Sequence, residues 1–363
     1  MIPASPDEIG PTWLTEALRS GGIFGDASVT SLRAEPIGDE ASFNAQIVRL
    51  TVSFDREEVG APRTMIAKLP TADAAVREVG EHFRPNETEI RFYRDVAPAS
   101  RLRIPRCYYS AMDPGSGAFV LILEDLAPAR VLDQAVGCSV GQAELALGNL
   151  ALLHADWWEN PRLPSLEWLS SSDEDDHGLL DLIRSNYARA WPRFVELVGG
   201  VPRSARRFGE ALLGEMELVS LAPEGPPRTL GHGDFRLANV MFGTPGGGPT
   251  FAVIDWEDVF VGRGVVDVAW FVVGCLSIAD RRAAERGLLE GYHRTLVGDG
   301  ASSYSFEQLW EDYRASLLER FVQAVLMATS PSVASRRREF GRSLAERFIA
   351  ASEDHHLIEL LPR

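Results

Sequence analysis

Two aspartates and an asparagine in the second half of the chain have the types and spacing for chemistry on phosphate groups. Asp234 precedes Asn239 by five positions, and Asp255 ends a later strand-like segment. One carboxylate can orient and deprotonate an attacking hydroxyl. An asparagine and a second carboxylate supply oxygen ligands of the kind that Mg²⁺ takes while it bridges nucleotide phosphates. The pattern therefore favours phosphoryl transfer, although aspartate and asparagine are also common in turns and helix caps.

The elements that must position these residues divide the chain into a sheet-rich half and a helix-rich half. Strand-like patterns lie at 29–54, 64–69, 106–110 and 118–124, with a helix predicted at 73–96. From residue 139 onward amphipathic helices dominate, interrupted by a hairpin whose Gly/Pro-rich tip covers 243–249. We predict a bilobal α+β fold, with a small antiparallel sheet lobe at 1–125 and a mainly helical lobe at 126–363.

The composition excludes several classes of protein. The 363 residues contain 36 Lys+Arg against 52 Asp+Glu, a net charge of −16, whereas nucleic-acid and anionic-membrane binding need a positive surface. The most apolar run, 265–278, contains an aspartate and is too short to span a bilayer. Three cysteines without metal-ligand spacing, and an N-terminus without secretory features, fit a reducing compartment. We expect a cytoplasmic protein without nucleic-acid or membrane partners.

The chemistry-bearing segments together resemble one known family. His232-Gly233-Asp234-x4-Asn239, followed by Ile254-Asp255-Trp256, is similar to the aminoglycoside phosphotransferase-like branch of the protein-kinase fold, in which H-G-D replaces H-R-D. Leu123-Glu124-Asp125-Leu126 and Leu153-His154-Ala155-Asp156-Trp157-Trp158 are most similar to its ecdysteroid kinase-like members. The resemblance extends over residues 30–350. It implies that Asp234 is the catalytic base and that Asn239 and Asp255 are the metal ligands.

The same resemblance gives roles to residues close to the catalytic pair. Arg236 stands where protein kinases carry a lysine that faces the transferred phosphate, and it could neutralise charge there. The alternative is a surface arginine paired with Glu257 or Asp258. Asp267 resembles the family's aspartate that anchors the catalytic loop, and capping of the following helix is an equally good interpretation.

The resemblance also assigns nucleotide contacts in the first lobe. Lys68 interrupts an apolar strand, where an unpaired lysine would be costly, and it would hold the α- and β-phosphates while paired with a helix glutamate. Glu89 is preferred because it begins an E-x-x-F-Y sequence; Glu78, Glu81 and Glu87 stay open. The alternative for Lys68 is a strand-end lysine that extends into solvent.

Two further segments are predicted to contact the nucleotide from their position in the chain alone. Gly38 and Ser42 lie between two predicted strands, where the phosphate-covering loop is expected, although an ordinary hairpin turn fits equally well. The hinge is expected at 124–126, where Glu124 and Leu126 would offer backbone groups to adenine.

We therefore predict an ATP- and Mg²⁺-dependent phosphotransferase that acts on a hydroxyl group of a small molecule. The acceptor is either an apolar polycyclic alcohol or an amino-bearing alcohol. The alternative is a non-catalytic nucleotide-binding module. A protein kinase is disfavoured because no D-F-G or A-P-E sequence is present and the segment after Asp255 is short.

Overall fold

The computed structural model describes residues 2–37, 45–71, 84–113, 115–169, 176–217, 226–330 and 338–362. Gly38 and Ser42, the predicted phosphate-loop contacts, lie outside these ranges, as do Glu78 and Glu81. The chain divides into two compact units. Unit 1 comprises Met1–Ala129 and Gly243–Asp258, and unit 2 comprises Arg130–Phe242 and Val259–Arg363.

Unit 1 is built around a five-stranded antiparallel sheet with strand order β1-β2-β3-β5-β4. Its strands are β1 (Val29–Pro36), β2 (Ala45–Phe54), β3 (Thr64–Pro70), β4 (Cys107–Met112) and β5 (Phe119–Glu124). Helix α1 (Pro11–Ser20) precedes the sheet, and helix α2 (Pro85–Asp95) lies between β3 and β4 in the chain. The antiparallel sheet that the sequence predicted in the first 125 residues is therefore present, and one helix interrupts it as predicted.

The central strands of this sheet are buried, which fits their apolar sequences. Residues 119–123 of β5 are all buried, and β3 buries Met65, Ala67 and Leu69. Lys68 lies opposite Ile47 of β2 and Leu121 of β5, so it occupies the interior of the sheet. The alternative of a strand-end lysine that extends into solvent is therefore wrong.

The second segment of unit 1, Gly243–Asp258, comes from far along the chain. It contains all of β8 (Gly247–Val253) and then Asp255 and Trp256. The Trp256 ring stacks on Phe92 of α2, with centroids 4.0 Å apart and an interplanar angle of 8°. This packing explains why the segment joins unit 1, whereas the predicted division at residue 125 followed chain order.

Unit 2 is mainly helical. Its helices are α3 (Val140–Trp157), α4 (Asp176–Leu197), α5 (Arg203–Leu212), α6 (Val265–Cys275), α7 (Ile278–Gly298), α8 (Phe306–Thr329) and α9 (Arg338–Asp354). Every residue of α6 is buried, and α8 packs against α6, α4 and α9. Helix α6 is therefore the centre of the unit 2 core. None of the described helices is long and apolar enough to cross a membrane.

Short strands frame the segment that carries the predicted catalytic residues. Strand β6 (Thr229–Gly231) pairs with β9 (Phe260–Gly262), and β7 (Val240–Thr244) pairs with β8. The β7–β8 tip is shorter than predicted because β8 already begins at Gly247, whose φ of 114° only glycine adopts without strain. The predicted α+β class is confirmed by the five-stranded sheet of unit 1 and the helices of unit 2.

Candidate functional site

In unit 1, one lysine is surrounded by three carboxylates. The Lys68 Nζ donates hydrogen bonds to Glu89 Oε2 at 2.6 Å, Asp255 Oδ1 at 2.7 Å and Glu257 Oε2 at 3.2 Å. Lys68 is 5% exposed and Glu89 1% exposed, whereas the side chains of Asp255 and Glu257 are partly exposed. Among the open helix glutamates within the described residues, it is Glu89 that contacts Lys68, as the E-x-x-F-Y resemblance predicted.

Burial and the neighbouring charges together shift the pKa values of Lys68 and Glu89. Burial lowers the pKa of Lys68, but the negative charges of Asp255, Glu89 and Glu257 outweigh burial and hold that pKa well above its ordinary value. Burial raises the pKa of Glu89 to about 7, with Lys68 opposing the change. Lys68 therefore stays an ammonium that the three carboxylates share.

The backbone at Asp255 has an unusual conformation. Its φ is 66°, in the left-handed region that residues with a Cβ seldom adopt. The next residue, Trp256, donates its backbone N–H to Glu89 Oε1 at 3.4 Å, and its indole N–H donates to the Val253 carbonyl at 3.3 Å. Such strain persists only where the surroundings enforce it. Here the packing of Trp256 and the ion pair with Lys68 hold the Asp255 carboxylate in place.

The carboxylates of this cluster fit a divalent cation. One oxygen from each of Glu89, Asp255 and Glu257 lies within 4.8 Å of the others. Oxygen-only donors suit Mg²⁺. Asp255 is the predicted metal ligand that this cluster contains. The other predicted ligand, Asn239, belongs to unit 2.

Glu257 is a partner of Lys68 that the sequence did not predict. In the sequence, Glu257 was only a possible partner of Arg236. The available signal was its position two residues after Asp255 in the same short segment.

In unit 2, the Asp234 carboxylate accepts three side-chain hydrogen bonds. Arg236 Nε donates to Asp234 Oδ2 at 2.7 Å, and Asn239 Nδ2 donates to the same oxygen at 2.9 Å. Trp270 Nε1 donates to Asp234 Oδ1 at 3.0 Å. Asn239 Nδ2 also lies 2.9 Å from the Asp234 carbonyl oxygen. Both contacts of Asn239 use its amide nitrogen, so its Oδ1 is the atom suited to a metal.

The structure thus brings the predicted residues together in two groups. Lys68, Glu89 and Asp255 meet in unit 1, and Asp234, Arg236 and Asn239 meet in unit 2. Arg236 contacts Asp234, the predicted base. This contact was not part of either interpretation of Arg236 from the sequence.

A buried aspartate holds the loop that carries Asp234. Asp267 accepts the backbone N–H of His232 at 2.6 Å and that of Gly233 at 2.9 Å. Burial raises the pKa of Asp267, but the nearby His154 outweighs burial, so the pKa lies below its ordinary value. The helix N-cap, Gly264, has no side-chain cap, and the role of Asp267 is to anchor the loop.

Two histidines support the same loop. His154 Nε2 lies 3.4 Å from Asp267 Oδ2, and His154 Nδ1 lies 2.7 Å from the Tyr292 hydroxyl. A Cβ at Gly264 would lie 2.6 Å from His154 Nδ1, so glycine is needed for this close approach. The backbone N–H of Asp234 donates to His232 Nδ1 at 3.3 Å, which fits the predicted bracing role of His232.

Trp270, which contacts Asp234, was also not predicted from the sequence. This residue is one of eight tryptophans and lies in an apolar run, where periodicity indicates only a core position. Its spacing of three from Asp267 was a weak signal, since residues three apart share a helix face.

At the predicted hinge, the backbone groups are partly engaged. The Glu124 N–H donates to the Arg106 carbonyl at 2.8 Å, and the Leu126 carbonyl accepts from Ala129 N–H at 3.0 Å. The Glu124 carboxylate contacts Arg103 at 2.5 Å and the Arg106 N–H at 3.0 Å. Among the described residues, no protein acceptor is found for the Leu126 N–H.

Two known families match parts of the chain. Residues 39–156 match the ecdysteroid kinase-like family. The chain has the protein-kinase-like fold of small-molecule kinases. The predicted resemblance to aminoglycoside phosphotransferase-like and ecdysteroid kinase-like small-molecule kinases is thereby confirmed. Residues 224–351 match a second family, described as uncharacterized oxidoreductase dhs-27.

Solved structures of phosphotransferases share the fold of the chain across most of its length. A putative aminoglycoside phosphotransferase from Ralstonia eutropha is 16% identical, with 94% of this chain and 97% of that chain covered and a TM-score of 0.54. A wild-type aminoglycoside 2'-phosphotransferase in complex with GDP is 14% identical, with 95% and 100% covered and a TM-score of 0.54. The Plasmodium vivax ethanolamine kinase is 13% identical, with 92% and 85% covered and a TM-score of 0.51.

A curated relative bears a different description. The protein named uncharacterized oxidoreductase dhs-27, from Caenorhabditis elegans, is 19% identical over 377 residues, which cover 92% of this chain. The chain spans only 44% of that relative's length.

Proposed function

We propose that this chain is an ATP- and Mg²⁺-dependent kinase that phosphorylates a hydroxyl group of a small molecule. The observation that carries the proposal is the placement of Lys68 between Glu89 and Asp255 in unit 1. In kinases a strand lysine paired with a helix glutamate, together with a metal-binding aspartate, forms the nucleotide phosphate site. The shared fold and the ecdysteroid kinase-like match support the same reaction.

The nucleotide would be held by groups of unit 1. Lys68 would contact the α- and β-phosphates, and Glu89 would keep its ammonium in position. Adenine would bind the backbone at 124–126, where the Leu126 N–H is the donor to expect because its carbonyl is engaged by Ala129. Gly38 and Ser42 remain proposed phosphate contacts.

Mg²⁺ would be held by oxygen atoms of Asp255 and Asn239, the latter through its Oδ1. Glu257 adds a carboxylate beside Asp255 and is a third candidate ligand. A bound Mg²⁺ would neutralise phosphate charge and orient the transferred group.

Asp234 would act on the acceptor hydroxyl. The hydroxyl oxygen attacks the γ-phosphorus, its proton passes to the Asp234 carboxylate, and the bond from the γ-phosphorus to the leaving nucleotide oxygen breaks. Arg236 lies beside the carboxylate and would stabilise the negative charge on the transferred phosphoryl group. Anchoring of the loop by Asp267 keeps the base in position.

Two classes of acceptor remain candidates. The ecdysteroid kinase-like match favours an apolar polycyclic alcohol such as an ecdysteroid. The structural similarity to an ethanolamine kinase and to aminoglycoside phosphotransferases favours an amino-bearing alcohol. A screen should therefore contain both classes.

The test is product formation from an alcohol panel. ATP and GTP are each supplied with Mg²⁺, and phosphorylated product is detected by mass spectrometry. We expect one class of alcohol to be phosphorylated, and Asp234→Asn to reduce kcat by about 10²- to 10⁴-fold. Tight Mg²⁺-dependent nucleotide binding without turnover of any alcohol would instead support the nucleotide-binding module. Turnover that Asp234→Asn leaves unchanged would show that the assigned base is wrong.

A further inference from the structure

Helix α6 presents one side chain directly to the proposed base. Trp270 is 1% exposed and donates its indole N–H to Asp234 Oδ1 at 3.0 Å. A buried tryptophan needs an acceptor for its N–H, and many tryptophans use a backbone carbonyl. A carboxylate acceptor makes the bond charge-assisted and shielded from water, which strengthens it.

The donors around Asp234 leave its two oxygen atoms unequal. A carboxylate oxygen has two lone pairs. Oδ2 accepts from both Arg236 and Asn239, so both of its lone pairs are engaged. Oδ1 accepts from Trp270 alone among the described residues, and it therefore retains one lone pair. A hydroxyl proton would be taken up at Oδ1, the oxygen that Trp270 holds.

The indole ring itself is held by two neighbours in unit 2. The Arg320 guanidinium lies 5.7 Å from the Trp270 ring centroid, and Arg320 Nε donates to the Val266 carbonyl at 3.3 Å. The Phe348 ring packs against the indole with centroids 5.4 Å apart. A cation near the π face is attracted to the ring and also makes its N–H a better donor. Arg320 therefore helps to hold the indole ring in place and strengthens the hydrogen bond from Trp270 to Asp234.

We propose that Trp270 is a positioning residue for phosphoryl transfer. Its N–H fixes the orientation of Asp234, so that the remaining lone pair of Oδ1 faces the acceptor hydroxyl. This inference rests on the proposed function, in which Asp234 is the base. It adds a group that acts through Asp234 and touches no substrate.

The kinetic test compares two buried tryptophans of unit 2. Trp270→Phe removes the N–H and keeps an aromatic ring, while Trp191→Phe makes the same change in an aromatic cluster with Phe194 and Phe321. We expect Trp270→Phe to lower kcat by about 10- to 100-fold, because the lost hydrogen bond is to a charged group. The KM for the nucleotide and the KM for the alcohol should change little. Trp191→Phe should retain kcat. In an Asp234→Asn background, Trp270→Phe should cause no further loss.

A second measurement does not depend on turnover. The indole N–H signal of Trp270 is assigned in a ¹H–¹⁵N spectrum by its loss in Trp270→Phe, or by elimination through the other tryptophan variants if that protein does not fold. Asp234→Asn should shift this signal, because the charged acceptor becomes neutral, and should leave the Trp191 signal in place.

The outcomes separate the two proposals. An unshifted indole signal in Asp234→Asn, an unchanged kcat in Trp270→Phe, or a change confined to KM would each overturn the positioning role. If no alcohol is phosphorylated, the proposed function fails, and the indole signal alone still decides whether Trp270 binds Asp234.

Discussion

Lys68 Nζ and Asp255 Oδ1 lie 2.7 Å apart, although 187 positions separate the two residues in the chain. The same ammonium contacts Glu89 and Glu257, so three carboxylates share this cation. A buried charge that loses its partner is strongly destabilising, because its desolvation is no longer compensated. The cluster therefore links the stability of unit 1 to the groups proposed for nucleotide binding.

Replacement of Lys68 by methionine should destabilise the protein as well as inactivate it. Lys68→Met leaves Glu89, Asp255 and Glu257 without their shared cation, and we expect the free energy of unfolding to fall by about 3–5 kcal/mol. Adding Glu257→Gln should recover on the order of 1 kcal/mol by removing repulsion. Urea denaturation of wild type, both single variants and the double variant measures this coupling. Losses that simply add would contradict it.

The left-handed conformation of Asp255 gives a second prediction. Asp255→Gly and Asp255→Ala both remove the carboxylate, so both should lose activity to a similar degree. At a φ of 66° alanine is strained and glycine is not, and we expect the glycine variant to be more stable by about 1 kcal/mol. Thermal denaturation of the two variants tests the difference. An alanine variant as stable as the glycine variant would exclude strain at this position.

Replacement of Asp267, which anchors the loop, by asparagine should be destabilising. Asp267→Asn keeps one acceptor oxygen but turns an NH₂ group toward the buried N–H of His232 or Gly233. An unsatisfied buried donor costs about 1–3 kcal/mol, and the loosened loop should also lower kcat. Glu311→Gln, at an exposed ion pair with Arg314, is the control and should change neither quantity. Full activity of Asp267→Asn would contradict the anchoring role.

A buried network between α7, α8 and the end of α9 should make stability depend on pH. Glu285 accepts hydrogen bonds from Tyr313 at 2.6 Å, Arg281 at 3.0 Å and His355 at 3.1 Å. Burial raises the pKa of Glu285, but His355 and Arg281 outweigh burial and hold that pKa below its ordinary value of 4.5. The stability that Glu285 contributes is therefore present above pH 4.5 and is lost as the pH falls through the lower, folded-state pKa.

Glu285→Gln tests this dependence. Wild type should be more stable than the variant by about 1–3 kcal/mol near neutral pH, and the difference should shrink below about pH 4. Urea denaturation across this pH range measures it. A difference that stays constant down to pH 3 would mean that the Glu285 charge does not contribute.

Local spacing in the sequence was sufficient for much of this protein. The period of two in β2 and the hairpin signal before Asp255 led to the α+β class, because these patterns are set by backbone geometry over a few residues. The residue types in the H-G-D segment and its resemblance to a kinase family led to the predictions for Asp234, Asn239 and Asp255. The choice of Glu89 for Lys68 came from the E-x-x-F-Y resemblance, and the 2.6 Å contact agrees with it.

Tertiary structure alone decided which distant groups share a charge or a hydrogen bond. Glu257 beside Lys68, Trp270 beside Asp234 and the inclusion of 243–258 in unit 1 all depend on long-range packing. For a tryptophan in an apolar helix, the sequence predicts only that the side chain is buried. Hydrophobic periodicity indicates which face of a helix is buried, but not which residues that face contacts. Local sequence was therefore enough to propose the reacting and metal-binding residues. The residues that orient them could be identified only from the packing of the folded chain.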